Sequence, residues 1–124
     1  MKYDFDFSHI PNYVVIKTGK FAVVEDFYKL LKDLLASSKW IKGTPLIIDH
    51  QFLNLKNMTF ADVQMILSIF TFNSRKLESN KCAFVIQSDN KDLCDQLSKL
   101  ADPESTCIIR FFSTLPPAKV WVSN

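Results

Sequence analysis

The sequence predicts an α/β domain with a mixed, mostly parallel sheet of five strands and about four helices. Two strand-like segments near the N-terminus are separated by only a short turn. After them, short apolar β-like runs alternate with segments of helical periodicity. Two of the runs, Leu46–Asp49 and Cys82–Gln87, are apolar almost throughout, which is typical of central parallel strands. The predicted order is β-β-α-β-α-β-α-β-α, with right-handed crossovers, in one domain spanning residues 1–124.

The first three elements follow from local patterns. Tyr3–Phe7 alternates aromatic and polar residues, as a half-buried strand does. His9–Asn12 contains a proline and is typical of a turn, and Tyr13–Lys17 is a second strand. Because the connection is short, the two strands should pair as an antiparallel hairpin. Val24–Ser38 then carries apolar residues at helical spacing.

The remaining elements continue the alternation. They are the strand Leu46–Asp49, a helix beginning at the N-cap candidate Thr59, the strand Cys82–Gln87, a helix from Ser88 or Asp89 to Asp102, the strand Thr106–Phe112, and a terminal helix capped by Ser113 or Thr114. The first turn of the terminal helix tolerates Pro116 and Pro117, and Val120 and Trp121 are predicted to face inward.

Composition excludes several classes of protein. Of 124 residues, 48% are apolar, including eleven Phe, which is enough for a hydrophobic core. The 15 basic residues are scattered among 13 acidic ones, so no basic stripe for nucleic acid is predicted. No apolar run approaches the roughly 18 residues of a membrane span, and the start lacks a signal-peptide core. We therefore expect a cytoplasmic protein whose three cysteines are buried thiols without a disulfide.

No reaction is predicted. The two histidines, His9 and His50, are far apart in sequence and lack a neighbouring cluster of metal-ligating residues. With glycine only at Gly19 and Gly43, no glycine-rich phosphate loop can form. Adjacent Asp49 and His50 should point to opposite faces of their strand and so cannot form an acid–base pair. The chain is expected to be non-catalytic, with no metal and no cofactor.

A ligand or partner would bind at the carboxyl ends of the parallel strands. Four polar residues are predicted to lie there: Asp49, His50, Ser88 and Asp89. They could exchange hydrogen bonds with a ligand or a partner. The alternative is structural, with the two aspartates capping helices or binding loop N–H groups.

The helix after Thr59 is unusual because Met65–Phe72 is apolar nearly all round. One face of this helix would pack on the sheet. The second face, which carries Met65, Ile69 and Phe72, would have to be covered by something else. A second subunit, an apolar ligand, or another part of the chain could supply it. These three residues form a possible homodimer face.

Several motifs occur in the order found in one family. The passage from Ser38 to Asp49 resembles the P-x-W-x-x-G-x-P-hydrophobic-D passage of the SpoIIAA-like proteins, with Ser38 in place of the first Pro. The run from Ala83 to Asp89 resembles their fourth strand and its following turn. The segment from Phe112 to Trp121 is similar to their closing F-x-x-L-E-E-A-x-x-W helix, with two prolines replacing the acids. The resemblance covers about residues 13–122.

The resemblance implies a SpoIIAA-like, or STAS-like, α/β fold related to the lipid-binding CRAL-TRIO fold. That family is not known for catalysis. STAS-type anti-sigma-factor antagonists carry a phosphorylatable Ser near the position of Thr59. The passage Asn57–Phe60 lacks their Ser pair and Gly, so Thr59 is either a phosphoacceptor or a plain helix N-cap.

We therefore expect a non-catalytic cytoplasmic regulatory or protein-interaction module with a protein partner, possibly a second copy of itself. The alternative is a carrier or sensor of a small apolar, lipid-like ligand. An enclosed apolar pocket of about 300 Å³ or more would favour the carrier.

Overall fold

The computed structural model describes residues 2–19, 24–50, 60–86, 99 and 107–124. Within these ranges the chain forms five strands and three helices. They are β1 Tyr3–Asp6, β2 Val14–Thr18, α1 Val24–Ala36, β3 Leu46–His50, α2 Phe60–Leu77, β4 Lys81–Ile86, β5 Ile108–Phe112 and α3 Leu115–Ser123. The helix predicted between Ser88 and Asp102 lies outside the described residues apart from Lys99, which is helical.

The strands form one mixed sheet in the order β1-β2-β3-β4-β5. β1 and β2 pair antiparallel, and the other three neighbouring pairs are parallel, which confirms the predicted hairpin and parallel sheet. Because successive crossovers step in one direction, α1 and α2 lie on the same face of the sheet and pack against each other. α3 follows the last strand and packs against β3, β4 and β5.

The sheet separates two hydrophobic clusters. The larger cluster joins one side of every strand to α1 and α2, and the smaller one joins alternate strand residues to α3. On β3, for example, Leu46 and Ile48 belong to the larger cluster and Ile47 to the smaller. This alternation follows from the two-residue period of a strand. The central strands are apolar throughout because both of their faces are covered.

Phe84 of β4 lies at the centre of the larger cluster. Its ring centroid is 5.0 Å from that of Phe70 on α2, edge to face, and 5.0 Å from that of Phe111 on β5, stacked. It is also 5.7 Å from the ring of His50 on β3. The Phe84 side chain therefore connects β3, β4 and β5 to α2.

The loops that enter β3 and β4 are fastened to each other. α2 ends where Glu78 adopts a left-handed conformation with φ of 56°. The Leu77 carbonyl accepts a hydrogen bond from the Gly43 N–H, at 2.9 Å, and Gly43 itself has φ of 90°, which favours glycine. The Ser79 hydroxyl donates to the Thr44 carbonyl at 2.6 Å. These bonds fix the relative position of β3 and β4.

The terminal helix differs from its sequence prediction in two respects. Val120 is 62% exposed, so its predicted inward orientation is wrong; the buried residues are Ala118 and Val122, which are one turn apart. Thr114 occupies the N-cap, but its side chain makes no capping bond. The physical reason is that Pro116 and Pro117 stand where the N–H donors for such a bond would be.

The remaining side-chain predictions have mixed outcomes. Trp121 is half-buried beside Phe112, with Lys81 and Arg110 each above its ring. Cys82 and Cys107 are buried, as predicted. Cys94 lies outside the described residues.

We expect Phe84→Ala to lower the free energy of unfolding by about 3–5 kcal/mol, because it removes a ring packed on every side. The matched control is Phe72→Ala, which removes the same group from an exposed position and should change it by less than about 0.5 kcal/mol. Urea unfolding of both variants measures the difference. Equal losses would contradict the packing described for the larger cluster.

Candidate functional site

A candidate site lies at the carboxyl ends of β2 and β3. Lys17 pairs with Asp49 in the parallel register, so the next residues, Thr18 and His50, end the two strands side by side. Both are buried, although they stand at the edge of the sheet. Parallel pairing thus brings together a hydroxyl and an imidazole that are 32 residues apart in sequence.

The Thr18 hydroxyl holds one nitrogen of His50. Its oxygen is 2.5 Å from Nδ1 of His50 and 3.3 Å from the carbonyl oxygen of Asp49. A hydroxyl has a single proton, so the proton's position fixes the imidazole tautomer. If the hydroxyl donates to the carbonyl, Nδ1–H donates to the hydroxyl and Nε2 is an acceptor. If the hydroxyl donates to Nδ1, Nε2 carries the proton.

In either tautomer the Thr18 hydroxyl bonds only Nδ1 of the ring, and the second ring nitrogen, Nε2, needs another partner. Nε2 of His50 is buried and has no hydrogen-bond partner in the described part of the chain. Aromatic rings surround the imidazole: Phe27 approaches edge-on with its centroid at 5.0 Å, and Phe84 lies at 5.7 Å. A buried polar atom without a partner costs about 1–3 kcal/mol.

The same burial keeps the imidazole neutral. Removal from water disfavours the charged form and lowers the pKa of His50 from 6.5 to about 3. At neutral pH the site therefore offers one hydrogen-bonding atom and no charge. It is suited to holding a polar group by a hydrogen bond, and it is not suited to exchanging protons near pH 7.

The side chain of Asp49 does not contribute to this site. It pairs in register with Lys17 and Val85, and Val85 belongs to the smaller cluster on the α3 side of the sheet. His50 packs against members of the larger cluster on the other side. The two side chains point to opposite faces and form no acid–base pair.

The other sequence-predicted site residues, Ser88, Asp89 and Thr59, lie outside the described residues. Thr18 was missed by sequence reasoning. The available signal was its position, since a threonine directly follows the predicted strand Tyr13–Lys17 just as His50 follows Leu46–Asp49.

The described ranges contain neither a metal-binding cluster nor a membrane-spanning helix. There, no group of three or more His, Cys, Asp or Glu side chains is arranged to hold a metal ion. No helix among these same residues combines the length and hydropathy needed to cross a bilayer.

A second feature is a row of side chains that we call the outer α2 surface: Met65, Ser68, Ile69 and Phe72. Met65 is 56% exposed and Phe72 is 78% exposed. Ile69 is half-buried and packs against the larger cluster. The Ser68 hydroxyl donates to the Gln64 carbonyl at 3.0 Å, so its polar atom is satisfied within the helix.

One comparison with solved structures identifies the fold. The chain is similar to the crystal structure of an uncharacterized protein of the DUF3478 family, with a SpoIIAA-like fold, from Shewanella loihica PV-4. The TM-score is 0.60 at 18% sequence identity, over 98% of this chain and 92% of that one. The chain has a SpoIIAA-like fold. No protein-family model matches it, and no curated protein is significantly similar to it in sequence.

The SpoIIAA-like fold confirms the fold that the sequence motifs imply. At 18% identity the likeness concerns the arrangement of the backbone only. The chemistry of this protein therefore depends on its own residues, which are Thr18 and His50 at the carboxyl ends of β2 and β3 and the outer α2 surface.

The SpoIIAA-like domain should lose stability in mild acid because of His50. Unfolded, the imidazole binds a proton below pH 6.5; folded, it does so only near pH 3. Between these values the unfolded state holds more protons, so the free energy of unfolding falls as the pH falls, by up to about 1.4 kcal/mol per unit. Chemical denaturation from pH 7 to pH 5 measures this slope.

Two variants isolate the contribution of His50 from that of the carboxylates. His50→Leu should remove its part of the slope, because no imidazole remains to be protonated. His9→Gln should keep the slope, because His9 is exposed. Identical slopes in the wild type and His50→Leu would show that the imidazole is not buried in the neutral form.

Proposed function

We propose that the protein is a non-catalytic protein-interaction module that binds another protein through the outer α2 surface. The observation that carries this proposal is the joint exposure of Met65 and Phe72. They are seven residues apart, which is two turns, so both lie on one side of α2. Large exposed side chains of this kind commonly anchor protein contacts.

The other exposed apolar residues of the described ranges do not form such a pair. Tyr28, Ile41, Ile108 and Val120 each lie on a different helix, strand or loop. Single exposed apolar side chains are normal on a protein surface. Met65 and Phe72 lie on one face of α2, and the half-buried Ile69 lies between them. Together the three residues form a continuous apolar strip.

The absence of catalysis is part of the proposal. His50 is neutral, and Asp49 lies across the sheet from it. Burial raises the pKa of Cys107 to about 11 and that of Cys82 well above its usual value, so neither thiol is a ready nucleophile. We propose that the protein acts in the cytoplasm, where such thiols are kept reduced.

We expect protein capture from cells of origin to depend on the outer α2 surface. Tagged wild type should retain a set of proteins that the double variant Met65→Ser, Phe72→Ser loses, because the apolar strip is removed. The matched control is Ile108→Ser, Val120→Ser, which removes two similarly exposed apolar side chains elsewhere and should retain the set. Quantitative mass spectrometry compares the three. Recovery of the same proteins by the first variant would contradict the proposal.

One observation favours a second candidate, a carrier or sensor of a small apolar ligand. Nε2 of His50 is a buried polar atom without a partner among the described residues, and aromatic rings surround it. A ligand with one hydrogen-bonding group on an apolar body would satisfy that atom and match the rings.

For this candidate, native mass spectrometry of the purified protein should show a copurified small molecule that His50→Leu loses. The Met65→Ser, Phe72→Ser variant should keep the molecule, because its substitutions lie on the outer side of α2. If wild type and His50→Leu have only the mass of the polypeptide, the carrier function is excluded.

A further inference from the structure

The charged and apolar side chains of α2 follow a symmetric pattern. Asp62, which is half-buried, stands in the first turn and Lys76 in the last turn, and Met65 and Phe72 lie between them. The small residue Ser68 stands near the middle. The spacings of three or four residues keep all five on one side of the helix. Read from either end, the order is charged, large apolar, small, large apolar, charged, with the two charges opposite in sign.

We propose that this surface binds a second copy of the same chain, with the two α2 helices antiparallel about a two-fold axis. The proposal rests on the proposed function, since it names the protein that the outer α2 surface binds. A two-fold contact is self-complementary: whatever residue meets its partner at one end also does so at the other.

The sequence register of this contact can be derived. Placing Met65 of one copy opposite Phe72 of the other puts the two-fold axis between residues 68 and 69. The same axis places Asp62 of one copy level with Arg75 of the other, and Lys76 lies one residue's rise, about 1.5 Å, further along the helix. The apolar pair and the charged pair therefore specify the same antiparallel register. Each pair occurs twice in the dimer.

The parallel alternative is disfavoured by the same residues. It would place Asp62 beside Asp62 and Lys76 beside Lys76, which is repulsive, and would align the two helix dipoles unfavourably. In the antiparallel arrangement both terms are attractive. A partner other than this chain gives no reason for the pattern to be symmetric about the middle of α2.

Ser68 lies where the helices would approach most closely. Its hydroxyl is bonded to the Gln64 carbonyl, so it presents a small surface with a satisfied polar atom. Small residues at a crossing point let two helices approach to about 8–10 Å between axes. The large side chains on either side, Met65 and Phe72, can then pack around the crossing.

The contact should be weak. Each copy contributes only one helix face, so the interface should bury less than about 1,200 Å² in total. Interfaces of that size are at the low end of the range, and their association is transient. We therefore expect a dissociation constant in the micromolar range, about 1–100 µM. Sedimentation velocity at about 1–300 µM covers that range.

Charge substitutions at the apolar pair test both the surface and the register. Met65→Glu and Phe72→Lys each place a charge against an apolar side chain and should raise the dissociation constant about tenfold or more. The double variant M65E/F72K places opposite charges together in both symmetric contacts, so the dimer should be restored to within a few-fold. Val120→Glu, an exposed substitution on α3, should leave association unchanged. Circular dichroism checks that each variant is folded.

Three results would overturn the proposal: a monomeric wild type at about 300 µM, a dimer insensitive to both single substitutions, or a double variant that associates more weakly than either single one. The last result is expected for a parallel contact, in which like charges would meet. If the wild type is monomeric but capture of a different protein still requires Met65 and Phe72, the interaction function stands and only the self-contact is excluded.

Discussion

The burial of β3 and β4 on both faces is the constraint on which the rest of this structure depends. Every residue of β3 is buried, and so is every residue of β4 except the first, Lys81. Successive residues therefore enter different layers, one formed with α1 and α2 and the other with α3. A polar residue at the end of such a strand is enclosed whichever way it points. This is why His50, at the carboxyl edge of the sheet, is only 2% exposed.

Enclosing an imidazole in this way is unfavourable unless both of its nitrogens are satisfied. Thr18 satisfies Nδ1, and Nε2 has no partner in the described ranges. The cost, about 1–3 kcal/mol, is a large part of the 5–15 kcal/mol that stabilises a typical domain. Leucine or phenylalanine would pack among Phe27 and Phe84 without that cost. Packing therefore does not explain the imidazole, whereas a bound ligand with a hydrogen-bonding group would.

The sequence was informative where a pattern has one physical solution. The runs in β3 and β4 are too short for helices and too apolar for a sheet edge, so both strands were predicted to within a residue. The partnership of Thr18 with His50 could not be predicted, because it depends on strand register. The predicted orientation of α3 was wrong at Val120 because Val120, Trp121 and Val122 are consecutive apolar residues, and the pattern alone does not show which of them faces the sheet. Likewise, the apolar pattern of α2 indicates two faces, but the packing of the helix decides that Ile69 is half-buried.

The two candidate functions involve neighbouring parts of one packed cluster. The Phe84 ring contacts His50 on one side and Phe70 on the other, and Phe70 lies on the inner side of the helix whose outer side exposes Met65 and Phe72. Contact alone does not make the sites communicate: that requires two arrangements of α2, stabilised to different extents by a ligand and a partner. Substitution of Phe70 or Phe84 would disturb both sites through the core. His50 and Phe72 touch only one site each, so substitutions there separate ligand binding from protein contact.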